Sequence, residues 1–435
     1  MTDTIFALSS GAGVAGVAVF RISGDNSKKI LARLTGRKEW TANVIVRADI
    51  KNPADGAPID KAMAVFFKSP KSFTGEDCAE IFAHGGLAVI EAVYRALAAT
   101  KLARLAKPGE FARRAFMNGK LSIQEAEALA DLIHAETEQQ RKLALSIMEK
   151  SSEELYAKWR NELVILLANA EAMIDFAEDE LPKNLAVQNR KGLKKLLDRL
   201  REHIADAGAA KRIRRGIDAA ICGRPNAGKS SLFNKLVGEG KALVSNISGT
   251  TRDVLEAALD IDGARVNLLD TAGIDKRAKD KLTVASMKKA RETATAADIR
   301  IFMITNLGEL SGLAAKGNDI ILFNKIDKSR PGKLPSGVIP VSVKTGENYA
   351  KFLTELRRRV RKLSTLPRDT ASARSRHIEA VSIAARELEL ALLAKEPAIE
   401  AEHIRLAANA IGAITGEVYL DELLDSIFGN FCLGK

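Results

Sequence analysis

Hydrophobic spacing changes character several times along this chain of 435 residues. In residues 1 to about 118, apolar runs such as Val14 to Ile22 and Ala62 to Phe67 alternate with turn-forming clusters such as Asn52-Pro53-Ala54-Asp55-Gly56. That alternation predicts short strands mixed with helices. From Leu121 to Glu180 glycine is absent, and apolar residues recur at helical spacing: Ala128, Leu129, Leu132 and Ile133, then Leu143, Leu145 and Ile147. Leu181-Pro182 breaks the pattern, a further helix is predicted from about Val187 to Ala205, and a Gly/basic joint at 208–216 leads into a strand at Ile217 to Ile221. Between 217 and about 362, β-rich runs alternate with helical stretches. These runs are Val266 to Leu269, Ile299 to Ile304, Ile320 to Phe323 and Val338 to Val341. This is the mark of βα units around a mostly parallel sheet. After Leu366-Pro367 the pattern is helical again, from Ala371 onward.

The fold class that follows is α/β and multidomain. An α+β domain at 1–118 precedes a helical domain in two segments, 119–215 and 363–435, with a Ras-like P-loop domain at 216–362 inserted between them. Such an insertion requires its two ends to lie close together. Composition is ordinary for a soluble globular protein, with 46% hydrophobic and 28% charged residues. The longest apolar stretches fall short of the ~20 residues that span a bilayer, so no membrane association is expected. Met1-Thr2-Asp3-Thr4 lacks the basic start and apolar core of a signal peptide. Three scattered cysteines, Cys78, Cys222 and Cys432, argue against a disulfide framework and for a cytoplasmic location. The net charge of +12, with basic runs at Lys211 to Arg215 and Arg357 to Lys362, suits a polyanion such as RNA or equally a solvated helix end.

Gly223-Arg224-Pro225-Asn226-Ala227-Gly228-Lys229-Ser230 satisfies the phosphate-binding GxxxxGK[ST] pattern directly after a strand, with Ser231 following. Backbone N–H groups there wrap phosphates, Lys229 reaches the outer ones, and the Ser230 hydroxyl suits Mg²⁺. Asp270-Thr271-Ala272-Gly273 follows the next strand, placing Asp270 to serve the Mg²⁺ shell and Gly273 N–H to meet the γ-phosphate. Asn324-Lys325-Ile326-Asp327 ends a later strand. Its Asp327 carboxylate matches the N1–H and 2-amino group of guanine, which adenine does not offer, so GTP is preferred on the order of 10⁴-fold. Ser342-Val343-Lys344 stands where such proteins contact the base. The position that carries a water-orienting glutamine in Ras-like enzymes is Ile274, so the transition-state charge needs another source. A monovalent cation, K⁺, held by Asn226 and by carbonyls of Ser245-Asn246-Ile247-Ser248-Gly249-Thr250-Thr251, would supply it.

With these residues in view the chain resembles the MnmE (TrmE) family along its whole length. Besides the phosphate loop, the resemblance rests on Gly249-Thr250-Thr251-Arg252-Asp253, Arg21-Ile22-Ser23-Gly24, Ser72-Phe73-Thr74-Gly75-Glu76-Asp77, His84-Gly85-Gly86 and Lys107-Pro108-Gly109-Glu110-Phe111. It continues through Asn118-Gly119-Lys120-Leu121, Ala126-Glu127-Ala128 and the tail Phe431-Cys432-Leu433-Gly434-Lys435. The resemblance implies a homodimer formed through N-terminal domains that hold 5-formyl- or 5,10-methylene-tetrahydrofolate. Arg21, Glu80, Lys120 and Lys435 match the folate contacts by position. It also implies a flavin-dependent partner, MnmG, in a heterotetramer, and tRNA as substrate, with aminomethyl or carboxymethylaminomethyl groups installed on the wobble uridine. Matching positions give K⁺ to Asn226, Ser245, Ile247 and Thr250, and Mg²⁺ to Ser230 and Thr251. The implied catalytic set is Lys229, Thr251, Asp270 and Gly273, with Cys432 a nucleophile candidate or, on the plainer reading, a small apolar residue. Cys78 and Cys222 read as structural.

Two positions depart from the family pattern. Thr283 occupies the place of the family's catalytic glutamate, and the early turn reads Ser10-Gly11-Ala12-Gly13-Val14. The competing reading is a GTPase switch of the ribosome-assembly kind, which docks RNA without one-carbon chemistry. The residues around Arg21 and Glu80 and the Cys432 tail favour the first reading.

Overall fold

The computed structural model describes residues 3–11, 13–149, 152–176, 182, 184–239, 241–243, 255–270, 295–313, 315, 317–366, 375–415 and 434. The chain divides into two compact units, Met1–Ala130 with Glu417–Lys435, and Asp131–Gly416.

The first unit contains β1 (Ile5–Leu8), β2 (Ala15–Ser23), α1 (Ser27–Thr35), β3 (Val46–Lys51), β4 (Pro58–Phe67), β5 (Cys78–Gly85), α2 (Leu87–Ala99), β6 (Arg104–Leu105) and α3 (Glu110–Met117). Its sheet runs β3-β4-β5-β2-β1-β6, antiparallel except where β6 joins β1. Side chains alternate across a strand with period two. Ala18, Phe20 and Ile22 of β2 therefore enter one core with Ile81 of β5, Leu31 of α1 and Leu97 of α2. Arg21 falls on the other face, opposite Glu80 in the β2–β5 register. That face carries a smaller cluster of Ile5, Ala7, Phe73 and Phe111.

Charges at the start of α3 are tied together. Arg104 donates to both oxygens of Glu110 (2.9 and 2.6 Å) and pairs with Asp3. Arg114 reaches Glu76 (3.1 Å), Asp3 (3.0 Å) and Glu110 (3.1 Å). Burial alone would raise the Glu110 carboxyl, but hydrogen bonds from Arg104, the Lys107 N–H and Arg114 outweigh it and bring it down to about 2. A carboxylate depressed in the folded state stabilises above its unfolded value, and the gain is lost as pH falls through its folded value. Glu110→Gln is therefore expected to remove on the order of 2 kcal/mol at pH 7 and to flatten the loss of stability between pH 5 and pH 2. Chemical denaturation across that pH range checks this. Parallel curves for the two proteins would contradict it.

The second unit begins within α4 (Ile123–Ile133) and continues through α5 (Glu138–Glu149), α6 (Ser152–Asp175) and α7 (Leu185–Arg215). Then come β7 (Ile217–Gly223), α8 (Lys229–Glu239), β8 (Lys241–Ala242), β9 (Leu255–Ile261), β10 (Ala264–Asp270), β11 (Ile299–Ile304), β12 (Ile320–Asn324), β13 (Val338–Val341) and α9 (Tyr349–Leu363). The last two described helices are α10 (Ser375–Leu393) and α11 (Pro397–Thr415). The sheet order is β13-β12-β11-β7-β10-β9-β8, parallel from β13 to β10, with β9 and β8 antiparallel at the edge. Because β7 is flanked by β10 on one side and β11 on the other, the chain reverses direction beside β7. Crevices open at such points, at the carboxyl ends of the strands. The helices before and after the sheet share one core. Tyr156 and Leu163 of α6, Leu196 and Leu200 of α7, Leu388 of α10 and Ile404 of α11 meet in it. The helical domain is thus discontinuous in sequence and continuous in space, as its hydrophobic spacing predicts.

Two expectations change. The Gly/basic joint at 208–216 is mostly helix, because α7 runs unbroken for 31 residues to Arg215. Ala207, Ala210 and Ile213 bury one face of this stretch, and that packing outweighs the roughly 1 kcal/mol that glycine costs a helix. The chain turns only at Gly216, whose φ of 93° and closeness to Asn267 exclude a side chain. The two basic runs, in turn, are largely occupied within the fold. Arg214 pairs with Asp131 (2.6 Å) and Arg215 with Asp298 (2.8 Å). Arg361 pairs with Asp262 (2.8 Å), and Arg358 and Arg359 with Glu355 (2.7 and 2.8 Å). These contacts tie much of each run to carboxylates of the same chain, a role that neither the polyanion reading nor the solvated-helix reading anticipates.

Candidate nucleotide site

β7 delivers the chain to Gly223 at the carboxyl edge of the sheet, where φ is 150° and an added Cβ would stand 2.4 Å from the Met303 carbonyl. Only glycine fits there. The loop then turns through Asn226, also at positive φ (62°), to Gly228. A Cβ at Gly228 would lie 2.4 Å from the Asn324 Nδ2. Both glycines of the motif are therefore required by close neighbours as well as by backbone angle. Lys229 opens α8 and is almost fully buried, its Nζ donating to the carbonyls of Gly223 (2.8 Å) and Arg224 (3.0 Å). Those bonds keep the ammonium inside the curve of the loop. Ser230 and Ser231 follow in the first turn, both exposed, at a helix N-terminus whose free N–H groups and dipole attract anions.

The second half of the site comes from β12 and the turn after β13. Asn324 is buried, its Nδ2 donating to the Ala227 carbonyl (2.7 Å) while its Oδ1 accepts from Val343 N–H (3.2 Å). Lys325 takes φ 69°, and Ile326 is packed against Ile304 and Phe323. These two residues bring Asp327 out to solvent, where its Oδ1 accepts from the buried Ser342 hydroxyl (2.6 Å). That bond holds the Asp327 carboxyl below its ordinary range, so it stays an acceptor. Ser342 also accepts from Thr345 N–H (3.2 Å), and Lys344 is exposed beyond the buried Val343.

The structure thus brings together Asn226, Ala227, Gly228, Lys229, Ser230, Ser231, Asn324, Lys325, Ile326, Asp327, Ser342, Val343 and Lys344. Asp270 ends β10 opposite Ile221 of β7, at the same edge of the sheet. Thr271, Ala272, Gly273, Ile274 and Thr283 lie outside the described residues, as do Ser245, Asn246, Ile247, Ser248, Gly249, Thr250 and Thr251. Cys222, one residue before the loop, has its thiol pushed up to about 11 by burial, which keeps it an inert neighbour.

Comparison with known proteins accounts for both units. The family model for the MnmE helical domain matches residues 123–432, and that for the GTP-binding protein TrmE N-terminus matches residues 4–120. The tRNA modification GTPase MnmE of Parvibaculum lavamentivorans is 43% identical over 440 residues, covering 100% of each chain. This chain belongs to the MnmE family of tRNA modification GTPases. The MnmE proteins of Rhizobium meliloti (40% identical, covering 100% of this chain and 99% of that one) and Rickettsia canadensis (38%, covering 100% of each) are further relatives.

In the TrmE-type N-terminal unit, Arg21 and Glu80 are ion-paired to each other at 2.8 Å. The Arg21 guanidinium also lies 4.7 Å from the Phe73 ring centre and 5.8 Å from that of Phe111. Neither aromatic has a residue type or spacing that marks it as functional. Their one signal is that each stands in a motif carrying the MnmE resemblance. Lys120 is exposed beside Gly75. Cys432 and Lys435 lie outside the described residues, but Gly434 is buried, its carbonyl accepting from the Ser9 hydroxyl (2.7 Å). Cys78 is buried with its sulfur 3.1 Å from the Thr74 hydroxyl, a structural position.

Asn324→Ala would strand the Ala227 carbonyl and the Val343 N–H, both without access to water. The expected cost is about 2–4 kcal/mol of stability in the second unit, with guanine-nucleotide affinity falling on the order of 100-fold. Denaturant melts and fluorescent GDP titration measure the two effects. Full affinity in the variant would show that the two loops are aligned by other means.

Proposed function

We propose that this protein hydrolyses GTP to drive modification of the tRNA wobble uridine, working with a flavoprotein partner and a tetrahydrofolate one-carbon unit. The observation that carries the nucleotide half is the bracing of phosphate loop to base loop by Asn324, with Asp327 exposed and ionised beyond it. An ionised carboxylate at that place complements guanine N1–H and the 2-amino group. The loop, which requires glycine at 223 and 228, and the exposed Ser230 fit a nucleotide held with Mg²⁺, with Ser230 and Thr251 as its protein ligands and Asp270 in its outer shell. K⁺ would be held by Asn226, whose amide is open to solvent at the crest of the loop, together with Ser245, Ile247 and Thr250. Such a cation supplies positive charge near the transferring phosphate, which an arginine supplies in other GTPases.

On this reading the chain is organised as 1–118, 119–215, 216–362 and 363–435, the first segment pairing two copies and holding folate. Arg21, over the Phe73 ring and paired with Glu80, brings together a cation, a carboxylate and an aromatic face. That set suits the glutamate tail, the pyrimidinone edge and the ring system of a folate. The contact of Gly434 with Ser9 supports a role for the Cys432 and Lys435 tail at the same sheet. Association with MnmG as a heterotetramer and a cytoplasmic location complete the proposal. Among the described residues no helix is long and apolar enough to cross a membrane.

Replacing Na⁺ by K⁺ is expected to raise GTP turnover at least about tenfold, in line with one added charge at the transition state. Equal steady-state rates in the two salts would falsify the cation role. In cells lacking the protein, mass spectrometry of digested tRNA should show wobble uridines without the aminomethyl-type groups. Unchanged nucleosides there would instead favour the RNA-docking switch without one-carbon chemistry.

A further inference from the structure

Lys235 lies on α8, nearly two turns beyond the phosphate-binding Lys229, and points its ammonium at the base turn. Its Nζ stands 4.5 Å from the centre of the Tyr349 ring, a cation–π contact on a half-buried side chain. It also donates to the Val343 carbonyl at 3.4 Å. Gly346 adjoins it at φ 85°, a backbone angle that favours glycine, and a Cβ there would make a tight 3.3 Å contact with Nζ. The turn itself is closed by Gly346 N–H to the Ser342 carbonyl (2.8 Å) and Ser342 N–H to the Glu347 carbonyl (3.0 Å).

Two adjoining peptide groups of this turn are thereby held by different elements. The Ser342–Val343 peptide gives its N–H to Asn324 of β12. The Val343–Lys344 peptide gives its carbonyl to Lys235 of α8. A peptide is planar and trans, so directing the carbonyl one way directs the Lys344 N–H the other way. Among the described residues nothing accepts from that N–H. Guanine differs from adenine at C6, where it carries an oxygen acceptor in place of an amino group, and a fixed backbone N–H is the donor that such an oxygen needs. Asp327 reads the opposite part of the same base edge. We infer that Lys235 is a positioning residue for 6-oxopurine recognition: through the Val343 carbonyl it aims the Lys344 N–H at the C6 oxygen of the guanine base. The inference rests on the reading of this site as a guanine-nucleotide site.

The test compares GDP with 6-thio-GDP, which keeps N1–H and the 2-amino group but offers a much weaker acceptor at C6. Both are titrated calorimetrically with Mg²⁺ into the full-length protein and into Lys235→Met. The variant keeps the aliphatic stem and loses the charge and the donor. The expected result is a fall in GDP affinity of about tenfold, the worth of one good hydrogen bond, against a change of no more than about twofold for 6-thio-GDP. Lys235→Arg, which restores a cation over Tyr349 and a donor to the carbonyl, should recover most of the discrimination. Equal weakening of both nucleotides, or no weakening of either, would overturn the inference, because general loosening of the turn does not select for the atom at C6. If Lys235→Met melts early, Lys235→Leu, which also lacks a donor, is read in the same way. Failure of the unsubstituted protein to bind either nucleotide would overturn the guanine-site reading itself, and this inference with it.

Discussion

The nucleotide site depends on one buried amide. Asn324 sits at the end of β12 and holds a carbonyl of the phosphate loop with its Nδ2 and an N–H of the base turn with its Oδ1. No apolar side chain can do this, and no ionised carboxylate can, because the task needs a donor and an acceptor on one planar group. The amide has consequences for its neighbours. Its Nδ2 stands where a side chain at position 228 would have to go, so glycine is imposed there by Asn324 as well as by φ. It aligns two loops more than a hundred residues apart in sequence, one for phosphate at Ala227 and one for base at Val343. A nucleotide spans both, so the spacing of its recognition elements is built into the protein before it binds. Binding then costs less ordering entropy than it would with two independent loops.

A second constraint comes from inserting a sheet domain between two helical segments. The chain enters at Gly216 and leaves α9 at Leu363, and the Arg212 side chain touches the Leu363 carbonyl (3.4 Å) across that gap. The β9–β10 hairpin is fastened to the helices as well. Its turn, Asp262-Gly263, has φ of 53° and 80°, the positive values of the tight hairpin turn that follows strand twist. The Gly263 carbonyl accepts from Gln139 N–H (2.9 Å), and Arg265 pairs with Glu136. Asn267 donates to the Arg215 carbonyl (3.1 Å) and to Asp218 (3.0 Å). Because β9 and β10 lie in sequence between the 244–254 and 271–294 segments, the helical segment is tied to the hairpin that joins them.

Much of this was legible from residue order because it is local. The phosphate loop and Asn324 to Asp327 are short motifs whose function requires neighbours in sequence, and each follows an apolar strand that is itself a local pattern. The strands at 299–304 and 320–324 and the resumption of helix beyond 366 are visible for the same reason. What could not be read is pairing over distance. Arg214 meets Asp131, and Arg21 meets Glu80 across two strands, and no local pattern announces either. Arginines in a row look alike whether they face solvent, RNA or carboxylates brought in by the fold. Gly208 misled because glycine weakens a helix without ending it, and burial of Ala207, Ala210 and Ile213 decides the matter. Whole-chain resemblance supplied the rest, notably the motifs that contain Phe73 and Phe111.

The Arg21–Glu80 pair shows how a satisfied contact can keep capacity for the ligand proposed above. Cross-strand partners at 2.8 Å with less than a fifth of either side chain exposed neutralise each other, so the unliganded sheet carries no stranded charge. The geometry leaves capacity on both members. Among the described residues the contact uses Nε of Arg21 and one oxygen of Glu80, which leaves the guanidinium further donors and the carboxylate its second oxygen. Phe73 and Phe111 hold the guanidinium plane in place, which reduces the entropy lost when a ligand engages it. A ligand offering an anion to one member and donors to the other can therefore add to the pair without breaking it. A ligand with one of those features alone has only half of the site to bind. On the proposed folate reading, selectivity at this sheet would come from requiring both, just as selectivity at the nucleotide site comes from requiring a phosphate end and a base end at a set distance.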